Sequence, residues 1–204
     1  MTPFLRLDAV ALPIAQANLD TDQIIPARYL QKARADDFGR YLFHGLRYLD
    51  DGSENPRFLL NQAAYRHARI VVGGPNFACG SSREHAVWAL YDYGIRAVIA
   101  PSFGDIFYAN ALKNGLLPIV VPPDVHAALL SAPGAVVRVD LASQTLTLPD
   151  QTAVRFPIDE FPKHCLLEGV DELEYILRHE AAIAAYESRQ AGGVRKDCAG
   201  VPVG

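Results

Sequence analysis

Between residues 68 and 131, short apolar β-branched runs alternate with helical ones, and nothing else in the chain restricts its fold as much. Residues 68–72, 97–100 and 116–121 read as buried strands. Residues 84–93 carry helical periodicity, with Val87, Leu90 and Tyr91 able to share a face, and residues 103–114 and 124–131 read as helices. Gly115 falls where the second helix would be capped. Strand and helix alternating at this spacing predict a parallel sheet in an α/β layer.

The rest of the chain predicts a mixed sheet. Residues 4–14 read as a strand, and residues 135–141, 144–148 and 153–156 as antiparallel strands joined by tight turns at Ala142-Ser143 and Pro149-Asp150. Residues 35–48 predict a short amphipathic helix around Phe38, Leu42 and Phe43, and residues 49–56 a polar surface loop. Residues 158–167 and 170–190 predict two helices broken at Gly169. On the second, Leu173, Ile176, Leu177, Ala181 and Ala184 form an apolar stripe read as packing. One domain over residues 1–190 and a flexible tail over 191–204 are expected.

With half its residues hydrophobic, 21% charged and a net charge of −4, the chain matches an ordinary soluble domain. The charge points to neither nucleic acid nor an anionic membrane. No apolar run approaches the ~20 residues of a membrane span, and the N-terminus does not resemble a signal peptide. A cytoplasmic location is expected. Cys79, Cys165 and Cys198 are too few and too far apart for a disulfide framework or a metal site within this chain. Cys79 reads as a small buried thiol.

The chemistry concentrates after the first strand of the parallel run, in Gly73-Gly-Pro-Asn-Phe-Ala-Cys-Gly-Ser-Ser-Arg-Glu-His-Ala86. Gly73, Gly74 and Gly80 let backbone approach a ligand closely. Ser81, Ser82 and Arg83 arrive at a helix start, where free N–H groups and the dipole favour a carboxylate or an oxyanion. Ser81 and Glu84 also fit a capping box. A cap alone leaves the second serine and the arginine unaccounted for. Neither common nucleotide-loop pattern is present.

Two further stretches supply candidates. Asn18, Asp20, Thr21 and Asp22 are turn and cap formers, read as an Asx turn in preference to a metal site. Pro26 suits the first turn of a short helix, on which Arg28 and Lys32 would share a face, either solvated or as a cationic clamp for an acidic substrate. Asp105 follows the second parallel strand at the same carboxyl edge, where open α/β sheets place ligands.

The motifs Asp20-Thr-Asp-Gln-Ile-Ile-Pro26, Asn76-Phe-Ala-Cys-Gly-Ser-Ser-Arg-Glu-His-Ala86, Ala100-Pro-Ser-Phe-Gly-Asp-Ile-Phe107 and Lys113-Asn-Gly-Leu-Leu-Pro118 together resemble the small subunit of 3-isopropylmalate dehydratase, a relative of aconitase. The resemblance spans roughly residues 4–190. It implies the swivelling β/β/α domain, a three-layer α/β fold with a mixed sheet. It also implies a larger partner carrying a [4Fe–4S] cluster, with no cofactor bound by this chain, and a small dicarboxylate substrate. By resemblance Ser81 matches the catalytic base, and Ser82 and Arg83 match substrate-binding positions. A further basic contact comes from Arg28, Lys32 or Arg34, and Asp22, His85 and Asp105 are secondary candidates. Ala78 and Val87 depart from the glycine and proline of the family pattern.

The implied reaction moves a hydroxyl between neighbouring carbons of 2-isopropylmalate through 2-isopropylmaleate. Its proton leaves a weakly acidic carbon, which calls for a strong base. A serine alkoxide stabilised by a helix N-terminus and a guanidinium would meet that need. Homoaconitate, methylmalate and dimethylmalate dehydratases share these motifs, with residues such as Tyr29 and Leu30 expected to select the substrate side chain. A non-catalytic anion-binding module is the reading from a different class.

Overall fold

The computed structural model describes residues 1–34, 37–80 and 83–193. One seven-stranded mixed sheet runs through them. Its strands are β1 (Arg6–Ile14), β2 (Ile70–Gly73), β3 (Ala97–Ala100), β4 (Leu117–Val120), β5 (Val136–Asp140), β6 (Thr145–Thr147) and β7 (Ala153–Arg155), in the order β4-β3-β2-β1-β5-β6-β7. β1 is where the two halves meet. Its upper part pairs parallel with β2, Ala11 opposite Ile70 through Ile14 opposite Gly73. Its lower part pairs antiparallel with β5, Arg6 opposite Asp140 through Val10 opposite Val136. β2, β3 and β4 are parallel to one another, as the alternating runs predict.

The parallel strands are apolar on both faces because both faces are covered. Val71 and Val98 belong to a core shared with α1 (Thr21–Ile24), α3 (Glu84–Tyr93) and α4 (Asp105–Lys113). Their strand neighbours Ile70, Val72, Ala97 and Ile99 belong to a second core with α5 (Pro123–Leu130), α6 (Glu160–Glu168) and the antiparallel strands. Three layers result, with the period-2 alternation of each strand feeding one core and then the other.

Several expected elements take a different form. Residues 35–48 do not make one helix. A 3-10 turn, Phe38–Tyr41, is followed by the short α2 (His44–Arg47), and between them Phe43 has a left-handed φ of 50°. The expected helix at 170–190 divides into α7 (Glu172–Leu177) and α8 (Glu180–Gly193). The stripe on it does not pack within the chain: Leu173, Ile176 and Leu177 are each more than half exposed. The hairpin connections are longer than two residues. Asp140 Oδ1 accepts from Ser143 in the first, and Asp150 Oδ1 accepts from Thr152 in the second. Gly169, with φ 71°, does end α6. Cys79 is half-buried, while Cys165 is buried. Cys198 and the rest of the expected tail beyond residue 193 lie outside the described residues. Among the described residues no helix is long and apolar enough to cross a membrane.

Candidate active site

The loops that leave β2 and β3 are tied to each other and to the turn after β1. Phe77 N donates to Ser102 O at 3.0 Å, and Gly104 N donates back to Phe77 O at 3.0 Å. Thr21 N donates to Cys79 O at 3.0 Å, beside a bridge between Asp20 and Cys79. A Cβ on Gly104 would stand 2.7 Å from Ala78 O, so the two loops touch backbone to backbone there. At the root of the β2 loop, His126 is buried and its Nε2 lies 2.8 Å from Gly73 O.

These contacts enclose a cleft of about 150 Å³ at the carboxyl edge of the parallel strands. Thr21, Ala78, Gly80, Arg83, Gly104, Asp105, Ile106 and Phe107 line it. The turn after β1 is built by a capping box of its own. Asp20 accepts from Gln23 N at 2.8 Å and Gln23 Oε1 accepts from Asp20 N at 3.1 Å. Asp20 therefore caps the turn, as its residue type predicts. Asp22 then reaches across the edge to Arg83. Arg83 Nη1 donates to Asp22 Oδ1, and Ala27 N donates to the same oxygen at 3.2 Å. The hydrogen bond from Arg83 holds the Asp22 carboxyl below the usual carboxylate range.

The expected candidates divide into three groups. Arg83, Asp22 and Asp105 come together, Arg83 and Asp105 on the cleft wall and Asp22 through its pair with Arg83. Asp105 is the first residue of α4, where the helix dipole favours its charge. Other candidates are engaged elsewhere. Arg28 Nη2 lies 3.1 Å from His44 Nδ1, and its guanidinium covers the Tyr29 ring. Arg34 forms a two-point pair with Asp92 at 2.9 and 2.6 Å, over the rings of Trp88 and Tyr91. His85 packs against the rings of Phe38 and Trp88, a structural placement on α3. Lys32 is exposed on the segment between them. Ser81 and Ser82 lie outside the described residues; their chain neighbours Gly80 and Arg83 both line the cleft.

The capping-box reading of Glu84 is corrected. Glu84 is the first residue of α3, with Arg83 at the cap position, so it is not placed three residues inside the helix. Its carboxylate instead accepts from Asn114 Nδ2 at 2.8 Å, and Asn114 Oδ1 accepts from Trp88 Nε1 at 3.0 Å. Sequence spacing gives no signal for the Asp22–Arg83 pair, whose partners stand 61 residues apart. Thr21, which by residue type is a turn former between two acids, also lines the cleft. Among the described residues no group of three His, Cys, Asp or Glu could hold a metal ion.

This mixed three-layer domain is of the aconitase C-terminal domain class: the profile of that family matches residues 1–124. The small subunit of 3-isopropylmalate dehydratase from Anaeromyxobacter dehalogenans (strain 2CP-C) is 52% identical over 187 residues, 92% of this chain and 98% of the relative. The one from Agrobacterium fabrum is 48% identical over 195 residues, 94% and 97% of the two chains. A crystal structure of 3-isopropylmalate dehydratase from Methanocaldococcus jannaschii matches with a TM-score of 0.67 at 26% identity, covering 89% of this chain and 99% of that one. The chain belongs to the family of 3-isopropylmalate dehydratase small subunits.

Proposed function

We propose that this chain works with a larger, cluster-bearing subunit to interconvert 2-isopropylmalate and 3-isopropylmalate through 2-isopropylmaleate. One observation carries the reading: Gly80 and Arg83, which flank the two serines in sequence, both line the cleft at the carboxyl edge. A guanidinium has five N–H donors, so Arg83 can hold Asp22 and a substrate carboxylate together. Asp22 then fixes the plane of the fork before substrate arrives, which reduces the ordering cost of binding. The amino end of α4 opens on the same cleft and adds a positive dipole facing a dicarboxylate.

Ser81 is the proposed base, taking a proton from the carbon beside a substrate carboxylate. Its support is the sequence match together with Gly80 and Arg83, its near neighbours in the chain, on the cleft wall; a guanidinium nearby lowers the cost of an alkoxide. Ser82 is proposed to bind substrate. Lys32 and Arg28 remain proposed contacts from the segment after α1, whereas Arg34 is better suited to holding that segment on α3. A [4Fe–4S] cluster on the larger subunit would supply the Lewis acid that a departing hydroxide needs. A cytoplasmic setting is part of the same proposal.

The test is an anaerobic assay of the purified chain with and without its large subunit, following the ultraviolet absorbance of the unsaturated intermediate. Activity is expected only in the mixture. Activity from this chain alone overturns the shared site, and no activity from a mixture with an intact cluster moves the substrate to another malate. Ser81→Ala should abolish turnover with assembly unchanged, and substantial turnover by that variant removes the base assignment. Arg83→Lys should damage catalysis because an ammonium lacks the planar fork.

A further inference from the structure

We propose a second anion site, for a small oxyanion such as a carboxylate or a phosphate group, at the amino edge of the parallel strands. It is independent of the dehydratase reading and lies at the opposite end of the strands from the cleft described above. Arg69 immediately precedes β2 and Arg96 immediately precedes β3, so the topology places both side chains' origins at that edge. With Arg6 and residues 2–7 they line a separate cleft of about 80 Å³. That space is large enough for a small oxyanion group.

The charges in this cleft are unequally matched. Arg6 pairs with Asp8 at 2.9 Å, and Asp8 also takes Arg138 at 2.5 Å. Asp140, which also feels Arg6, accepts from Ser143. Arg69 is exposed, and its side chain makes no ion pair or hydrogen bond among the described residues. Arg96 is only 9% exposed, yet no carboxylate meets it. Its Nη2 donates to Thr2 O at 2.9 Å, its guanidinium lies over the Tyr91 ring, and its Nε is buried without an acceptor.

Arg47, the other buried arginine among the described residues, is served differently. It donates to Asn61 Oδ1 and Leu42 O and lies against the rings of Tyr48 and Tyr93. A largely buried guanidinium with no carboxylate against it is a costly arrangement, and an anion in the adjoining cleft offsets its charge. The lower half of β1, which has a strand partner only on its β5 side, forms the adjoining wall. An oxyanion held between Arg96 and Arg69 would join the N-terminal segment to the starts of β2 and β3.

The experiment is titration calorimetry of the full chain with inorganic phosphate and, separately, with succinate, at low ionic strength. It is run in an Arg83→Ala background so that the carboxyl-edge cleft does not contribute. A saturable site of one anion per chain is expected. Arg69→Gln and Arg69→Glu should weaken it at least tenfold, whereas Arg69→Lys should retain most of the affinity. Because Arg69 is exposed, circular dichroism should show all three variants folded alike. The tighter of the two probes identifies a carboxylate or a phosphate as the favoured group. The absence of saturable binding by either probe, or equal affinity in the Arg69→Gln chain, overturns the proposal.

Discussion

Replacing Ala78 with glycine should be nearly free, although Ala78 is only 3% exposed and lines the cleft. Its φ is 57°, in the left-handed region where an L side chain costs ~1–2 kcal/mol. Glycine removes that strain. Against the gain stand the loss of one buried methyl, ~0.8 kcal/mol, and the greater freedom of glycine in the unfolded chain, ~0.4–1 kcal/mol. The opposing effects cancel to within about 1 kcal/mol. Ala89, fully buried in the interior of α3, has no such strain to release. Ala89→Gly loses the same methyl and adds the helix penalty of glycine, for a cost of ~2 kcal/mol. At ~2–4 °C per kcal/mol for a chain of this size, the two variants should melt roughly 4–8 °C apart. Thermal unfolding followed by circular dichroism reads this directly. An Ala78→Gly chain as unstable as Ala89→Gly would refute the claim that strain is stored at position 78. The departure of Ala78 from the glycine of the family pattern is therefore a backbone matter as much as a side-chain one.

Three further outcomes are expected. The depressed Asp22 carboxyl contributes stability above its ordinary value of 3.8 that is lost as pH falls through the lower folded value. The stability gap between the parent and Asp22→Asn should accordingly close on acidification, and a gap independent of pH would contradict the Arg83 pairing. A double-mutant cycle of Arg34→Ala with Asp92→Ala should give a coupling of ~1 kcal/mol, near the upper end for partly exposed pairs because the contact is two-pronged; zero coupling in urea unfolding would count against it. Gly39→Ala should cost ~1–3 kcal/mol or more, since its Cβ would meet the backbone of Asp92 and Tyr93, the Asp92 carbonyl carbon at 2.6 Å, and neither can yield as a side chain would. Parental stability of that variant would show that Phe38–Tyr41 does not press on α3.

The parallel half of the sheet was legible because its strands and helices are short, periodic and punctuated. Val71 and Val98 with their neighbours announce two buried faces, and Gly169 ends its helix where a left-handed cap is needed. Residues 35–48 were misread as one helix because their apolar spacing suits one. What decides otherwise is the close approach of Gly39 to α3 and the left-handed Phe43, both set by packing and not by local propensity. The candidate site was legible in part for the same reason. Arg83 and Asp105 each stand beside a strand end, which topology alone brings to one edge. The partner that orients Arg83 comes from the other end of the sequence gap, and only the β1–β2 register makes Asp22 its neighbour. The stripe on α7 and α8 was assigned to packing by periodicity, which marks an apolar face without saying what meets it.

The central position of β1 bears on how the protein is made. It leaves the ribosome well before either of its partners: β2 begins at residue 70 and β5 at residue 136. At ~5–20 residues per second of synthesis, β1 waits roughly 3–11 s for one neighbour and roughly 6–25 s for the other. Until β2 is made, an apolar segment including Leu7, Ala9, Ala11 and Leu12, all buried in the finished fold, has neither of its strand partners, and Leu7 and Ala9 wait for β5. The nascent chain is therefore most open to chaperones and to misassociation at β1 until Val136–Asp140 has been made.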